Sequence, residues 1–162
     1  MTGVDCTFTC GNEWFRYRTG AIIRDEEKAL FMYAKTAQHY YSPGGAVYLG
    51  EKAEDAVRRE LFEETGIEFQ IERLLCVVEN FFRGRYGSID KKVCHTLEFY
   101  YLMKAPRLMT FAGHSVNMDG DGEQLVWLPV DRLEEYDIRP PAMVSLVREP
   151  PQSFSMLVND ER

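Results

Sequence analysis

Glu60, Glu63 and Glu64 lie in the short stretch Arg59-Glu60-Leu61-Phe62-Glu63-Glu64. Acids at i, i+3 and i+4 share one side of an α-helix. Grouped hard oxygen donors suit Mg²⁺ or Mn²⁺, which take carboxylates and keep waters that substrate phosphates replace. One or two ions are consistent with such a set. Arg59 stands four residues before Glu63, a spacing that either orients that acid or makes a surface ion pair of little worth. Just upstream, Gly44-Gly45 offers a turn, or a backbone that a helix or a phosphate approaches closely.

The element that must carry these acids runs from Glu51 to Thr65. It is rich in Ala, Glu, Arg and Leu and is followed by Gly66, a natural residue just past a helix end. On a wheel at ~100° per residue with Glu60 at zero, Ala53, Ala56, Val57 and Leu61 fall between about −40° and +100°. Glu63 falls near −60° and Glu64 near +40° on the same wheel, in or beside that apolar arc. Glu54, Asp55 and Arg58 take the outward face. Three acids on the core side are costly. Each like-charge pair destabilises by about 0.2–0.5 kcal/mol, and acids at a helix C-terminus oppose the macrodipole. A shared counter-ion accounts for the arrangement better than a solvated charge run.

Around this helix the chain reads as strands. Glu13–Ile23 and Ala29–Lys35 are expected to form a hairpin, with Asp25 to Lys28 as its turn. Pro43-Gly44-Gly45 reads as a turn. Leu74–Phe82 and His95–Met103 are further strands, the second with Leu97, Phe99, Tyr101 and Met103 on one face. A glycine-bearing loop, Pro106–Gly122, precedes a short strand Gln124–Leu128. A helix opens near Pro140-Pro141, and Ser153–Val158 is a last strand. No repeat or linker interrupts the 162 residues, so one mixed α+β domain over 1–162 is expected.

Composition narrows the function classes. The chain is 45% hydrophobic and 13% aromatic, enough for one core and too much for a disordered chain. Nineteen basic and 26 acidic residues give a net charge of −7, which disfavours a nucleic acid polymer as partner. No apolar run approaches a membrane span, and Met1 to Cys10 does not read as a signal peptide, so a cytoplasmic location is expected. Cys6, Cys10, Cys76 and Cys94 show no paired spacing and read as free thiols.

From Gly45 to Ile67 the chain resembles the Nudix box. Gly45, Glu51, Arg59, Glu60, Leu61, Glu63, Glu64, Gly66 and Ile67 stand at the motif's fixed positions. The likeness extends from about Tyr17 to Leu133, with Pro43-Gly44-Gly45 at the mouth of the box and Trp127-Leu128-Pro129 beyond it. It implies a Nudix fold, a mixed β-sheet sandwiched between helices. It also implies hydrolysis of a nucleoside diphosphate linked to another moiety. Glu60, Glu63 and Glu64 would hold Mg²⁺ or Mn²⁺, with Glu51 a secondary ligand or an orienting residue. Glu60, Glu64 and, outside the box, Glu123 are alternatives for the general base. Arg59 is an orienting member of the catalytic set, and Gly44 and Gly45 belong to the substrate-binding backbone.

A small nucleotide or diphosphate is the expected partner, and a homodimer is compatible with the chain. Tyr17, Tyr40, Tyr41, Phe81, Phe82 and Tyr100 are aromatics able to stack on a base, and Arg83, Arg85, Lys91 and Lys92 could meet phosphates. Glu79 and Glu98 are mid-strand acids in apolar runs, either further candidates for the base or acids on a solvated strand face, and Asp119 and Asp121 read as loop surface. Two other functions share the fold: a non-catalytic ligand-sensing module, which need not keep three acids, and an isoprenoid diphosphate isomerase, which needs a buried cysteine such as Cys76 or Cys94.

Overall fold

The computed structural model describes residues 3–104, 115–116 and 122–162. The strands are β1 (Thr7–Cys10), β2 (Glu13–Ile22), β3 (Lys28–Ala34), β4 (His39–Tyr41), β5 (Gly44–Ala46), β6 (Gln70–Arg83), β7 (Val93–Lys104), β8 (Ser115–Val116), β9 (Gly122–Pro129) and β10 (Ser155–Glu161). Helix α1 is Ala53–Thr65 and α2 is Met143–Arg148. The expected loop between 106 and 122, with Asp119 and Asp121, lies outside the described residues apart from 115–116 and 122.

Two sheets form. The larger has the order β1-β2-β7-β6-β10, with β5 paired to β2; the smaller has the order β4-β3-β9-β8. β2 runs parallel to β7, β6 antiparallel to β7, and β10 parallel to β6, so the larger sheet is mixed.

The expected hairpin is not what forms. Arg24 and Ala29 make an isolated bridge at the corner, after which β2 stays in the larger sheet and β3 enters the smaller one. The reason is burial. Ala21, Ile22 and Ile23 are each only 1% exposed, so this run is covered on both faces, which a two-stranded ribbon cannot do.

Gly44–Ala46 is likewise a strand rather than a turn. It pairs with β2 through Thr19↔Gly45 and Gly20↔Gly44. Gly44 has φ 137°, and a Cβ there would lie 2.3 Å from the Thr19 carbonyl oxygen, so only glycine fits.

Helix α1 forms where its periodicity places it. Gly66 closes it in the left-handed region at φ 72°, donating its N–H to the Phe62 carbonyl. Its buried residues Ala53, Ala56, Val57 and Leu61 pack with Ala21, Ile23, Tyr101 and Met103. A second core cluster joins Phe31, Cys76, Val78 and Tyr100 to Leu133, Met143 and Leu146 near α2. The sheets therefore lie between the two helices. All four cysteines are free, with Cys76 and Cys94 buried.

Strand β7 departs from its sequence reading. Tyr101 and Met103 are buried, but nearer its start Cys94, Thr96, Glu98 and Tyr100 form the buried face. The polar-looking side of the strand is the inner one there, because it lies over a cleft rather than over solvent.

Candidate functional site

Glu51 precedes α1 and folds back under it. Its Oε2 accepts the Tyr48 N–H at 2.9 Å. Arg59, two turns on, donates from Nε to Glu51 Oε1 at 2.8 Å and from Nη2 to Glu51 Oε2 at 2.9 Å. The same guanidinium donates to Glu60 Oε1 at 2.8 Å and to the Ala46 carbonyl at 3.0 Å, and lies 3.7 Å from the centre of the Tyr48 ring. Its contact with Glu63, at 3.4 Å, is the weakest of the set. Arg59 thus pairs chiefly with Glu51 and Glu60, and the pairing holds the Glu51 carboxyl below its ordinary pKa.

The three helix acids are graded in depth. Glu64 is 5% exposed, the Glu60 side chain 17% and the Glu63 side chain 53%. Glu63 sits at the edge of the apolar arc and reaches solvent, so the three do not share one buried face as the wheel suggested. Among the described residues no three His, Cys, Asp or Glu side chains are gathered closely enough to hold an ion between them.

Glu64 is the anomaly. Its Oε2 is buried with no hydrogen-bond partner. Burial, with a further push from Glu60, raises its pKa to about 8. Burial raises Glu60 too, against the pull of Arg59. A buried carboxylate oxygen with nothing to pair it is the kind of donor that a hard divalent cation satisfies. The donor set is all carboxylate oxygen, which fits Mg²⁺ or Mn²⁺. Gly45 makes room for it. A Cβ at that position would stand 2.4 Å from Glu60 Cδ, so the missing side chain is what lets the carboxylate lie against β5.

Glu60, Glu63 and Glu64 open onto a cleft of about 600 Å³, with Gly44 and Gly45 in its wall. Glu123, at the start of β9, lines it as well, and the Tyr41 hydroxyl donates to Glu123 Oε1. Burial raises the Glu123 pKa. Of the aromatics singled out from the sequence, Tyr41, Phe82 and Tyr100 line the cleft. Tyr17, Tyr40 and Phe81 do not. Tyr17 packs toward Phe99, Tyr40 against Tyr33 and Tyr136, and Phe81 stacks on His95 at 4.3 Å. Arg83 and Arg85 reach the cleft; Lys91 and Lys92 are not in its lining.

Glu98 is corrected outright. It is 4% exposed and not on a solvated face. Oε1 accepts from Asn80 Nδ2 at 3.1 Å and from Thr96 Oγ1 at 2.5 Å, and Oε2 accepts from the Tyr100 hydroxyl. This network forms part of the cleft floor.

Sequence reasoning passed over Trp14, Arg16 and Arg18, which all line the cleft. Their period-two spacing on β2 was the available signal, since alternate strand residues share a face. Arg18 is tied by Nη2 to the Ser42 carbonyl at 2.6 Å and by Nη1 to Ser42 Oγ at 3.2 Å.

Comparison with known proteins bears on the fold and the family. An RNA pyrophosphohydrolase of Blochmanniella pennsylvanica is 35% identical over 63 residues, 38% of this chain and 40% of that protein. A MutT-like protein of Streptomyces ambofaciens is 34% identical over 65 residues, 40% of this chain and 42% of its own. The chain thus spans about two fifths of the length of these curated relatives. Among solved structures, a mutator MutT protein of Bacillus halodurans superposes with TM-score 0.64 at 18% identity, covering 90% of each chain. A MutT NUDIX hydrolase of Burkholderia pseudomallei gives TM-score 0.53 at 27% identity, over 84% of this chain and 97% of the other. The model of the NUDIX domain matches residues 14–148, most of the sequence, and the chain therefore belongs to the NUDIX family.

Proposed function

We propose that this chain is a divalent-metal-dependent pyrophosphohydrolase that cleaves the phosphoric anhydride of a nucleoside diphosphate linked to another moiety. The observation that carries the reading is the buried, unpartnered Oε2 of Glu64 at the edge of a cleft that also holds Glu60 and Glu123. Glu60, Glu63 and Glu64 are the carboxylates that would hold Mg²⁺ or Mn²⁺, and the bound metal would neutralise the diphosphate and lower the pKa of an attacking water. Arg59 keeps Glu60 in place, and Glu51 fixes Arg59 from behind. The Gly44-Gly45 backbone leaves the cleft wall open to a phosphate. A proton from the water passes to a cleft carboxylate. Glu64 and Glu60 stand on one wall, and Glu123, oriented by Tyr41, is the candidate base outside the helix.

Two features weigh against the alternatives. Cys76 and Cys94 are absent from the cleft lining, which leaves an isomerase without its cysteine at this site. A ligand sensor has no use for an uncompensated buried carboxylate. The acidic net charge favours a small anion held through a metal over a polymer. A cytoplasmic setting is part of this reading, in keeping with four free thiols. Among the described residues no helix is long and apolar enough to cross a membrane.

The test is a panel of nucleotide sugars, ADP-ribose, dinucleoside polyphosphates and nucleoside triphosphates with Mg²⁺, scored by phosphate release after a phosphatase. Glu64→Gln and Glu123→Gln in the same assay discriminate the base. Hydrolysis that persists in excess EDTA overturns the metal dependence.

A further inference from the structure

One polar row crosses strands β1, β2, β7, β6 and β10 of the larger sheet on its cleft side. In register it runs Thr7, Arg16, Thr96, Asn80 and Asn159. Its far end is closed. Asn159 Nδ2 donates to Asn80 Oδ1 at 2.8 Å, and Asn80 and Thr96 both donate to Glu98. Its near end is open. Arg16 Nε and Thr7 Oγ1, register partners on neighbouring strands, are both buried without a hydrogen-bond partner.

Among the described residues Arg16 has one ion pair, a 3.9 Å contact with Asp5; the Arg16 side chain is 22% exposed and that of Asp5 48%. So long and half-exposed a contact compensates the guanidinium poorly and leaves the buried Nε unpaired. Burial and the neighbouring Arg18 cation disfavour the charge on Arg16, while Asp5, Glu60 and Glu123 favour it. Arg18 is held rigid by Ser42, so the two guanidiniums stand on one strand face as a preformed pair. Arg16 and Arg18 line the same cleft of about 600 Å³ as Glu60, Glu64 and Glu123. A planar N–H fork matches phosphate oxygens better than a point charge does.

We propose that Arg16, supported by Arg18, is an anion subsite for a phosphate lying beyond the scissile anhydride, and that the chain accordingly prefers substrates with three or more linked phosphates over sugar-linked diphosphates. The preference rests on the hydrolase reading above; the subsite itself does not. Binding at Arg16 requires no cleavage.

Two measurements separate them. In EDTA, calorimetry with inorganic tripolyphosphate compares wild type with Arg16→Gln and Arg16→Lys. Losing a charge-assisted bond should weaken binding by roughly tenfold or more in Arg16→Gln, with Arg16→Lys between. With Mg²⁺, the ratio of kcat/KM for ATP to that for ADP-ribose should fall about tenfold in Arg16→Gln, mainly through KM for ATP. A short 5′-triphosphorylated oligonucleotide beside ATP distinguishes a chain end from a free nucleotide as the source of the phosphates. A purely structural Arg16 would lower both kcat/KM values together and leave the ratio unmoved, which overturns the proposal. Equal tripolyphosphate affinity in all three proteins also overturns it. If Arg16→Gln does not fold, Arg16→Lys carries both measurements. If wild type hydrolyses nothing, the hydrolase reading fails while calorimetry still decides the subsite.

Discussion

Arg59 grips both carboxylate oxygens of Glu51 across eight residues, at 2.8 and 2.9 Å, while its remaining N–H groups hold Glu60 and the Ala46 carbonyl. One guanidinium thereby ties the residue before α1, the body of the helix and strand β5 into a single unit.

That fork is tested by Arg59→Lys. An ammonium keeps the charge but cannot serve two carboxylates and a carbonyl in one plane. Activity should fall about tenfold or more through kcat as Glu60 loses its orientation. Stability should drop by on the order of 2 kcal/mol, the worth of hydrogen bonds to charged groups. Urea unfolding and steady-state kinetics read the two effects. Wild-type kcat in Arg59→Lys would reduce Arg59 to an ordinary ion pair.

Gly45→Ala addresses the same unit from the other side. The added Cβ lies 2.4 Å from Glu60 Cδ, inside any tolerable contact, so the carboxylate must move. The expected result is strong loss of kcat with the fold retained, seen as an unchanged far-ultraviolet circular dichroism spectrum. Activity close to wild type would mean that Glu60 works from another position.

The sequence made some of this legible and hid the rest for identifiable reasons. Helix α1 is read from the spacing of Ala53, Val57 and Leu61, and Gly66 marks its end, because helix periodicity and capping are local. The i,i+4 rule pointed Arg59 at Glu63, yet Glu51 is its main partner. Glu51 lies outside the helix and reaches Arg59 by a turn anchored on Tyr48, which no helical spacing rule contains. Glu98 looked solvated and is buried because β6 and β10 extend the sheet beyond β7, a pairing set by distant residues. Arg16 and Arg18 offer only their period-two spacing as a signal. Which side of the strand faced the cleft depended on β7 and β5.

His39, in the cleft wall, provides a pH test. Burial lowers its pKa from 6.5, with Arg139 adding to the effect and Asp137 opposing it. The unfolded chain then binds more protons than the folded one near and below pH 6.5, so folding stability falls as the pH drops through that range and is flat above it. His39→Asn removes the effect. The difference in unfolding free energy between wild type and variant should shift against wild type on going from pH 7.5 to 5.5. A difference that does not change with pH would show that His39 carries its charge freely in the folded protein.

Glu64 links stability to function most directly. Its buried Oε2 has no partner, and an unsatisfied buried polar group costs about 1–3 kcal/mol. Above about pH 8, where the folded carboxyl is ionised, the near-isosteric amide removes that charge. At about pH 9, Glu64→Gln should therefore melt higher than wild type in EDTA, by about 2–4 °C for each kcal/mol relieved in a chain of this size. It should also be inactive, since a hard ligand is gone. Saturating Mg²⁺ should reverse the order. An ion at a hundred times its dissociation constant stabilises the folded state by about 2.7 kcal/mol, and wild type alone offers the complete donor set. The measurement is four thermal melts, two proteins each in EDTA and in Mg²⁺. If Glu64→Gln melts lower in EDTA, the carboxylate has a stabilising role of its own, through the Gly44 backbone or the Arg18 cation that act on it. If Mg²⁺ raises both proteins equally, the ion binds elsewhere, and the C-terminal turns of α1 are not its site.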